Sequence, residues 1–117
     1  MITKAVVMSE PGSLSIQPVD LKSPSKEDIV IDINYSGIST GTEKLFYNGK
    51  MPQFPGMGYP LVPGYESTGE VVQAPKDSNL KIGDMVFVPG ADCYSGSVKS
   101  LFGGASQTII STPNRLI

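Results

Sequence analysis

The sequence predicts a mainly β fold, a partly open barrel of short strands with one or two short helices. Apolar runs of strand length recur along the chain, and the clearest alternates apolar and polar side chains over residues 29–35. Proline and glycine, 10 and 13 of the 117 residues, separate these runs with turns. The start and stop signals of a helix are found at residues 40–49.

The first part of the chain contains three predicted strands. Residues 3–9 form the first strand, residues 10–12 form a turn, and residues 13–19 return as the partner strand of a hairpin. A polar connection follows at residues 22–28. The third strand, residues 29–35, places four side chains on one face: Ile29, Ile31, Ile33 and Tyr35.

A short helix is predicted over residues 41–48. Thr40 and Glu43 have the spacing of a capping box, and Gly49 provides a left-handed stop. The positive end of this helix, with Ser39 and Thr40, would point at whatever lies beyond the third strand. Taken alone, these residues indicate a well-capped helix.

Residues 51–66 form a loop in which four prolines alternate with three glycines, so neither a helix nor a central strand runs through it. The loop carries Phe54, Tyr59 and Tyr65, and it is too apolar for a disordered segment. Long ordered loops are usually functional. We therefore expect it to form the wall of a binding site.

Three further strands complete the fold, at residues 67–73, 85–88 and 105–111. A second loop rich in glycine and serine spans residues 89–104 and contains Cys93. We expect this single cysteine to be a buried or half-buried free thiol, because no base that would activate it is evident.

Composition excludes several functions. The formal net charge of −2 provides no basic patch for nucleic acid, and no apolar run approaches the ~20 residues of a membrane span. With no secretory signal, the expected location is the cytoplasm. The absence of histidine removes the commonest general base and metal ligand, so chemistry must depend on hydroxyls, carboxylates, lysines or a cofactor.

Four motifs in order resemble the medium-chain dehydrogenase/reductase superfamily and its GroES-like N-terminal catalytic domain. They are Ser-Gly-Ile at 36–38, Pro-Gly-Tyr-Glu at 63–66, Gly-Asp-Met-Val at 83–86 and Gly-Gly-Ala-Ser-Gln at 103–107. The resemblance covers essentially the whole chain. Zinc-dependent members have a Cys-His pair where this chain has Ser39 and Thr40, and a histidine where it has Tyr65. Although Glu66 is retained, the resemblance implies a domain without zinc.

Longer stretches, at residues 36–46, 54–67, 86–91 and 101–106, resemble the bacteriochlorophyllide a dehydrogenases, a zinc-free branch of the superfamily. This resemblance implies NAD-dependent oxidation of the C3 1-hydroxyethyl group of a chlorophyllide or bacteriochlorophyllide, both chlorins, to an acetyl group. It also implies a Rossmann domain for NAD after Ile117, so we expect the chain to be a fragment. Any homo-oligomer would form through that domain.

The resemblance places four candidate catalytic residues in the cleft: Ser39, Thr40, Tyr65 and Glu66. Without zinc, a side chain must take the proton of the alcohol, and the hydroxyls at the helix N-terminus would form a relay. Tyr65 would need a nearby cation to lower its pKa, and Lys44 is the nearest candidate. Alternatively, Tyr65 fills the space of a lost ligand, Thr40 is only a cap, and Glu66 braces the backbone.

Aromatic and methionine side chains cluster in sequence on the substrate side, where a flat apolar chlorin would stack on them. The candidate substrate-binding residues are Lys44, Phe46, Tyr47, Phe54, Met57 and Tyr59. Alternatively, these residues fill the mouth of the barrel. Two other functions remain open at this point: a zinc-free quinone or enoyl reductase, and a non-catalytic GroES-like binding module.

Overall fold

A computed structural model describes residues 1–99 and 102–117. The structure has the mainly β architecture that the sequence predicts. Its strands and helices are β1 (Ile2–Glu10), β2 (Ser13–Asp20), β3 (Ile29–Ser36), α1 (Thr40–Asn48), β4 (Ser67–Gln73), β5 (Met85–Val88), β6 (Thr108–Ser111) and a 3₁₀ turn (Pro113–Arg115).

The described strands form two antiparallel sheets, which together make a partly open barrel. One sheet is the hairpin β1–β2, and the other has the order β5-β4-β3-β6. Strand β1 joins the two through loop backbone: Val6 donates to the carbonyl of Ala105 at 2.8 Å, and Met8 and Leu61 exchange two hydrogen bonds. The loop over residues 51–66 is therefore anchored to the hairpin.

The main hydrophobic core lies between the two sheets. Its members include Ile29, Ile31, Val71, Val88 and Ile109, none of which has exposed surface. Because these side chains are large, aliphatic and β-branched, they suit a core built from strands.

Cys93 also belongs to this core as a buried free thiol, as predicted. Burial is the main cause that raises its pKa, so the thiol form is favoured.

A second, smaller core lies beneath the proline- and glycine-rich loop, and we call it the aromatic cluster. Three of its side chains are fully or almost fully buried, and five partly buried side chains pack against them. The members are Met8, Phe46, Leu61, Met51, Phe54, Met57, Tyr59 and Phe102. The Tyr59 hydroxyl donates a hydrogen bond to the carbonyl of Phe46, which ties the loop to α1.

Strand β3 departs from the predicted alternation at its end. Ile29 and Ile31 face the core and Ile33 is partly buried, but Tyr35 is 78% exposed. The register with β4 shifts between Ile33 and Tyr35, so one extra residue breaks the period of two. The prediction that Tyr35 shares a face with the isoleucines is therefore wrong.

The last strand is shorter than predicted. β6 begins at Thr108 rather than Ala105, because the preceding residues pair only through an isolated bridge between Ala5 and Ser106. The second predicted loop, residues 89–104, includes residues 100 and 101, and the motif at 101–106 begins with Leu101. Those two residues lie outside the part of the chain that the structure describes.

Candidate functional site

An apolar cleft of about 490 Å³ opens at the N-terminal end of α1. The hairpin contributes one wall, the end of β3 and the start of α1 another, and the backbone around Gly64 a third. The lining residues are Val6, Met8, Leu14, Ser36, Gly37, Ile38, Thr40, Glu43, Lys44, Tyr47, Pro63, Gly64 and Ala105. Most of these side chains are apolar, and the polar ones come mainly from α1. A pocket of this size and character is typical of small-molecule sites.

Tight backbone packing forms the wall of the cleft at Gly64. Gly64 has φ +100°, and a Cβ there would lie 2.8 Å from the amide nitrogen of Ala105. A Cβ on Gly104 would lie 2.6 Å from Ser67 Oγ. Both glycines belong to the motifs that carried the family resemblance, and here they have a direct steric reason.

The helix begins one residue earlier than predicted. Ser39 is the N-cap, since its carbonyl accepts the first helical hydrogen bond from the Glu43 amide at 2.9 Å. The predicted capping box of Thr40 and Glu43 is therefore wrong, because Thr40 already lies within the helix. The N-cap makes no side-chain hydrogen bond to the helix backbone. The amides of the first turn thus keep their donors and positive potential beside the cleft.

The C-terminal end of the helix is as predicted. Gly49 has φ 72° in the left-handed region, and its amide donates to the carbonyl of Phe46 at 3.2 Å. Glycine is the residue that adopts this conformation without strain, so the stop signal is confirmed.

The hydroxyl groups of three residues form a row in space beside the N-terminus of the helix. Ser39 Oγ lies 3.5 Å from Thr42 Oγ1, which lies 3.3 Å from the Tyr65 hydroxyl. The Tyr65 ring packs on Phe102 with centroids 5.0 Å apart. The structure therefore connects two predicted residues, Ser39 and Tyr65, through one that the prediction missed, Thr42. Its spacing of three residues from Ser39 was the signal in the sequence.

Glu66 lies beside Gly37, close to the start of α1. Its backbone carbonyl accepts a hydrogen bond from the Gly37 amide at 2.6 Å. A Cβ on Gly37 would lie 2.9 Å from Glu66 Oε2, so the absence of a side chain at Gly37 makes room for the carboxylate. Glu66 is exposed, and it does not line the cleft.

Glu43 is a second residue of this region, besides Thr42, that the candidate site residues predicted from the sequence do not include. It lines the cleft, and both carboxyl oxygens are shielded from solvent without a hydrogen bond of good geometry. Burial is the largest cause that raises its pKa. The nearby backbone of Ser39, Glu43 and Gly64 lowers the pKa in part, and repulsion from Glu66 raises it further. In the sequence, Glu43 is recognised only as the predicted partner of Thr40 in a capping box.

The structure divides the predicted substrate-binding residues into two groups. Lys44 and Tyr47 line the cleft, together with Thr40 from the catalytic set. The Tyr47 hydroxyl also donates to the carbonyl of Gly12 at 3.1 Å, which fastens the helix to the hairpin.

The other four belong to the aromatic cluster: Phe46, Phe54, Met57 and Tyr59. Phe46 has no exposed surface, and Tyr59 is bonded to the helix backbone. These four side chains therefore pack together in the aromatic cluster. Direct contact of any of them with a ligand stays a prediction.

Zinc prefers thiolate, imidazole and carboxylate ligands, whereas Ser39 and Tyr65 present hydroxyl groups, so these two residues do not fit a zinc site. Within residues 1–99 and 102–117, no three histidine, cysteine, aspartate or glutamate side chains converge in a way that could hold a metal ion.

No dinucleotide site is formed by the described residues either, since their strands are antiparallel and the one α-helix follows no glycine-rich phosphate loop. None of the described helices has the length and apolar character needed to cross a membrane.

Comparison with known sequences identifies the family. Residues 25–117 match the alcohol dehydrogenase GroES-like domain. The chain is 56% identical over 116 residues to the 2-desacetyl-2-hydroxyethyl bacteriochlorophyllide A dehydrogenase of Rhodobacter capsulatus. It is 51% identical over 121 residues to the enzyme of the same name from Cereibacter sphaeroides. These alignments cover 99% and 100% of this chain, but only 37% and 38% of the two relatives.

Solved structures show the same fold. CAD from Helicobacter pylori, complexed with NADP(H), superposes with a TM-score of 0.79 at 20% identity, over 100% of this chain and 41% of that one. A cinnamyl alcohol dehydrogenase from Sorghum bicolor gives 0.78 at 17% identity, over 100% and 40%. With the sequence match, these similarities establish that the chain belongs to the alcohol dehydrogenase GroES-like domain family, within the medium-chain dehydrogenase/reductase superfamily.

Proposed function

We propose that this domain forms the substrate side of a zinc-independent, NAD-dependent dehydrogenase that oxidises the 1-hydroxyethyl group at C3 of a chlorophyllide or bacteriochlorophyllide to an acetyl group. The observation that carries the proposal is the apolar cleft that ends on the polar start of α1. The names of the two relatives support the choice of substrate, because both denote dehydrogenases of a hydroxyethyl bacteriochlorophyllide.

The cleft suits a flat apolar molecule that carries one small polar group. Val6, Met8 and Leu14 form an apolar wall from the hairpin, and Tyr47 provides an aromatic ring on the helix side. Such side chains contact a conjugated macrocycle through dispersion and offset stacking. A molecule the size of a chlorin would extend beyond the cleft into solvent or against another part of the protein.

The polar end of the cleft suits an alcohol. We propose that Thr40 and the free amides of the first helical turn orient the hydroxyl group, since they lie where a helix N-terminus favours developing negative charge. Ser39, Thr42 and Tyr65 form a hydroxyl chain through which a proton can pass. Glu66, which follows Tyr65 and is exposed, would take up the proton released by the alcohol and pass it to solvent.

Zinc independence and cofactor choice are parts of this proposal. In the absence of zinc ligands, the hydroxyls named above take the role of a metal in lowering the energy of the alkoxide. When bound, NAD would supply the hydride acceptor, and its site would lie outside the residues described here. We further propose a cytoplasmic enzyme whose homo-oligomer contacts, if formed, lie outside this domain.

The test is turnover by the full-length protein. A chlorophyllide bearing the hydroxyethyl group is incubated with NAD⁺, and the product is identified by mass spectrometry. Appearance of the acetyl chlorin, lighter by two hydrogen atoms, is the expected result. Conversion of quinones or enoyl substrates with NAD(P)H, without oxidation of the chlorin, would show a reductase of the same superfamily instead.

Metal analysis of the same preparation tests zinc independence separately. We expect full activity in protein from which metals have been removed by a chelator. One tightly held zinc per chain, with activity that disappears on its removal, would contradict this part of the proposal.

A further inference from the structure

A second groove adjoins the cleft on the outer surface of the hairpin, and we call it the outer groove. It has a volume of about 420 Å³ and is lined by residues of both sheets. Three residues, Val6, Ser36 and Ala105, line both the cleft and the outer groove. The two volumes are therefore continuous, and a ligand larger than the cleft can extend from one into the other.

The pairing of β1 with β2 gives this continuous volume an apolar wall. Met8 lies opposite Leu14, and Val6 lies opposite Ile16. Because side chains alternate along a strand and directly paired residues share a face, all four project from the same face of the hairpin. Leu14 is 52% exposed and Ile16 is 73% exposed. This face thus leaves apolar surface uncovered where a flat apolar ring would contact it.

A lysine lies at the far end of this apolar wall. Lys4 lies two residues before Val6 on the same face of β1, and it is the only charged side chain among the described residues that line the outer groove. The ion pair that the described residues form joins Lys22 to Asp92. The Lys4 ammonium group therefore has no carboxylate partner in the part of the chain that the structure describes.

The order of these features matches the order of groups on a chlorophyllide. Four residues separate Met8 from Lys4 along β1, a distance of about 13 Å at the rise of an extended strand. This distance is comparable to the width of a chlorin with its substituents. A chlorophyllide has the hydroxyethyl group on one ring, an apolar macrocycle, and a propionate carboxylate on another ring. The protein presents the polar start of α1, the apolar wall and then a positive charge.

We propose that the outer groove binds the part of the chlorin that extends beyond the cleft, and that the Lys4 ammonium group pairs with its propionate carboxylate, an inference that rests on the proposed function. The macrocycle lies on Val6, Leu14 and Ile16. Lys4 is then a specificity-determining residue, because an esterified propionate has no charge for the ammonium group to pair with. The protein selects chlorophyllides over chlorophylls, in which the same carboxyl group is esterified.

The test is equilibrium binding to the full-length protein without added dinucleotide. A hydroxyethyl chlorophyllide and the methyl ester of its propionate are titrated separately, and binding is followed by the change in Soret absorbance. For the wild-type protein, we expect the dissociation constant of the ester to be about three- to fivefold higher, the effect of an ion pair that solvent partly screens. The difference should decrease as salt is added.

Three lysine variants locate the charge that causes this preference. Lys4→Gln should reduce the ratio of the two dissociation constants to less than about twofold, mainly by weakening the binding of the free acid. Lys76→Gln changes an exposed lysine that lines neither the cleft nor the outer groove, so it should keep the wild-type ratio. Lys44→Gln should keep the ratio as well. Loss of the preference in Lys44→Gln but not in Lys4→Gln would overturn the assignment.

An isoleucine pair tests occupancy of the outer groove independently of charge. Ile16→Ala should weaken the binding of both ligands about three- to fivefold, because it removes apolar surface from the wall. Ile82→Ala is the matched control, since Ile82 is 72% exposed but lines neither the cleft nor the outer groove. Unchanged binding by Ile16→Ala would overturn the inference. If its thermal stability also fell, another part of the full-length protein would be the occupant of the outer groove.

The outcomes separate this inference from the proposed function. Equal dissociation constants for the acid and the ester in the wild type, or a preference that persists in Lys4→Gln, would overturn the role of Lys4 while chlorin binding and oxidation remain. If the hydroxyethyl chlorophyllide neither binds to the wild-type protein nor is oxidised by it, the proposed function is overturned, and this inference with it.

Discussion

The aromatic cluster and the cleft both include residues of α1 and share Met8, but they follow different rules of construction. In the cluster, Phe46 has no exposed surface and contacts Phe102 edge-on, with ring centroids 6.1 Å apart. In the cleft, the Glu43 oxygens are shielded from solvent without a hydrogen bond of good geometry, and the N-cap residue Ser39 makes no side-chain hydrogen bond to the helix amides. The cluster is a packed core, whereas the cleft has polar groups beside an open volume. Proteins tolerate such groups where a ligand completes them.

The largest expected effect is a loss of stability on truncation of Phe46, which belongs to the cluster and not to the lining of the cleft. Phe46→Ala should reduce the free energy of unfolding by about 3–5 kcal/mol, because it leaves a cavity in a fully packed cluster. Urea denaturation measures the loss, and Phe46→Leu is the matched control with a smaller cavity. A loss below about 1 kcal/mol, together with weaker chlorin binding, would show that Phe46 contacts ligand rather than core.

Backbone strain at the wall of the cleft should have the next largest effect. Gly64→Ala combines a positive φ with a contact of 2.8 Å to the Ala105 amide, so we expect a loss of about 1–3 kcal/mol. Gly12→Ala is the matched control, since it has φ +83° but no atom near the added Cβ. Its loss should be about 1 kcal/mol. Equal losses measured by urea denaturation would mean that the wall relaxes around the added atom.

Tyr47 should affect binding more than stability. It is 41% exposed and lines the cleft, so Tyr47→Ala should raise the dissociation constant of a hydroxyethyl chlorin about tenfold, a loss of about 1–1.5 kcal/mol from ring stacking. Absorbance titration of the full-length protein measures this change. Tyr47→Phe, which keeps the ring but loses the bond to the Gly12 carbonyl, should bind nearly as well as the wild type. Tighter binding by the alanine variant would contradict the placement of the ligand.

The smallest effect concerns the pH dependence of stability. The pKa of Glu43 is raised above 4.5 in the folded protein, mainly by burial, so the folded state binds this proton more tightly than the unfolded chain does. Stability contributed by the neutral group is therefore lost as pH rises through the raised pKa. Glu43→Gln avoids this loss.

The melting temperature of Glu43→Gln should consequently exceed that of the wild type at about pH 8 and match it at about pH 4, where the carboxyl group is protonated in both states. Thermal unfolding at a series of pH values measures the difference. A variant that is less stable than the wild type at the higher pH would indicate that the carboxylate makes a stabilising contact.

Much of the fold could be predicted from the sequence because its signals are local. The hairpin follows from the glycine turn at Gly12, the helix end from Gly49, and the β4 and β5 strands from short apolar runs. The bulge in β3 had no such signal, since it depends on how Asn34 and Tyr35 pair with β4. Register between distant strands is a tertiary property that alternation within one strand does not determine.

The candidate site was harder to predict than the fold. Aromatic composition indicated a flat apolar ligand, but it could not show which aromatics face a cleft: Tyr47 does, whereas its neighbour Phe46 is part of a core. The hydroxyl chain through Thr42 and the inward orientation of Glu43 depend on where the helix begins. Because the helix begins one residue earlier than the sequence predicts, Ser39 rather than Thr40 is its N-cap.

Ligand is expected to bind in the cleft rather than at the aromatic cluster, and NMR of the full-length protein distinguishes the two sites. The ring current of a bound hydroxyethyl chlorin strongly shifts the amide signals of nearby residues. We predict the largest shifts at Gly37, Thr40 and Gly64, which line the cleft. Largest shifts at Phe54 and Met57, with little change at the start of α1, would mean that the ligand binds at the aromatic cluster instead.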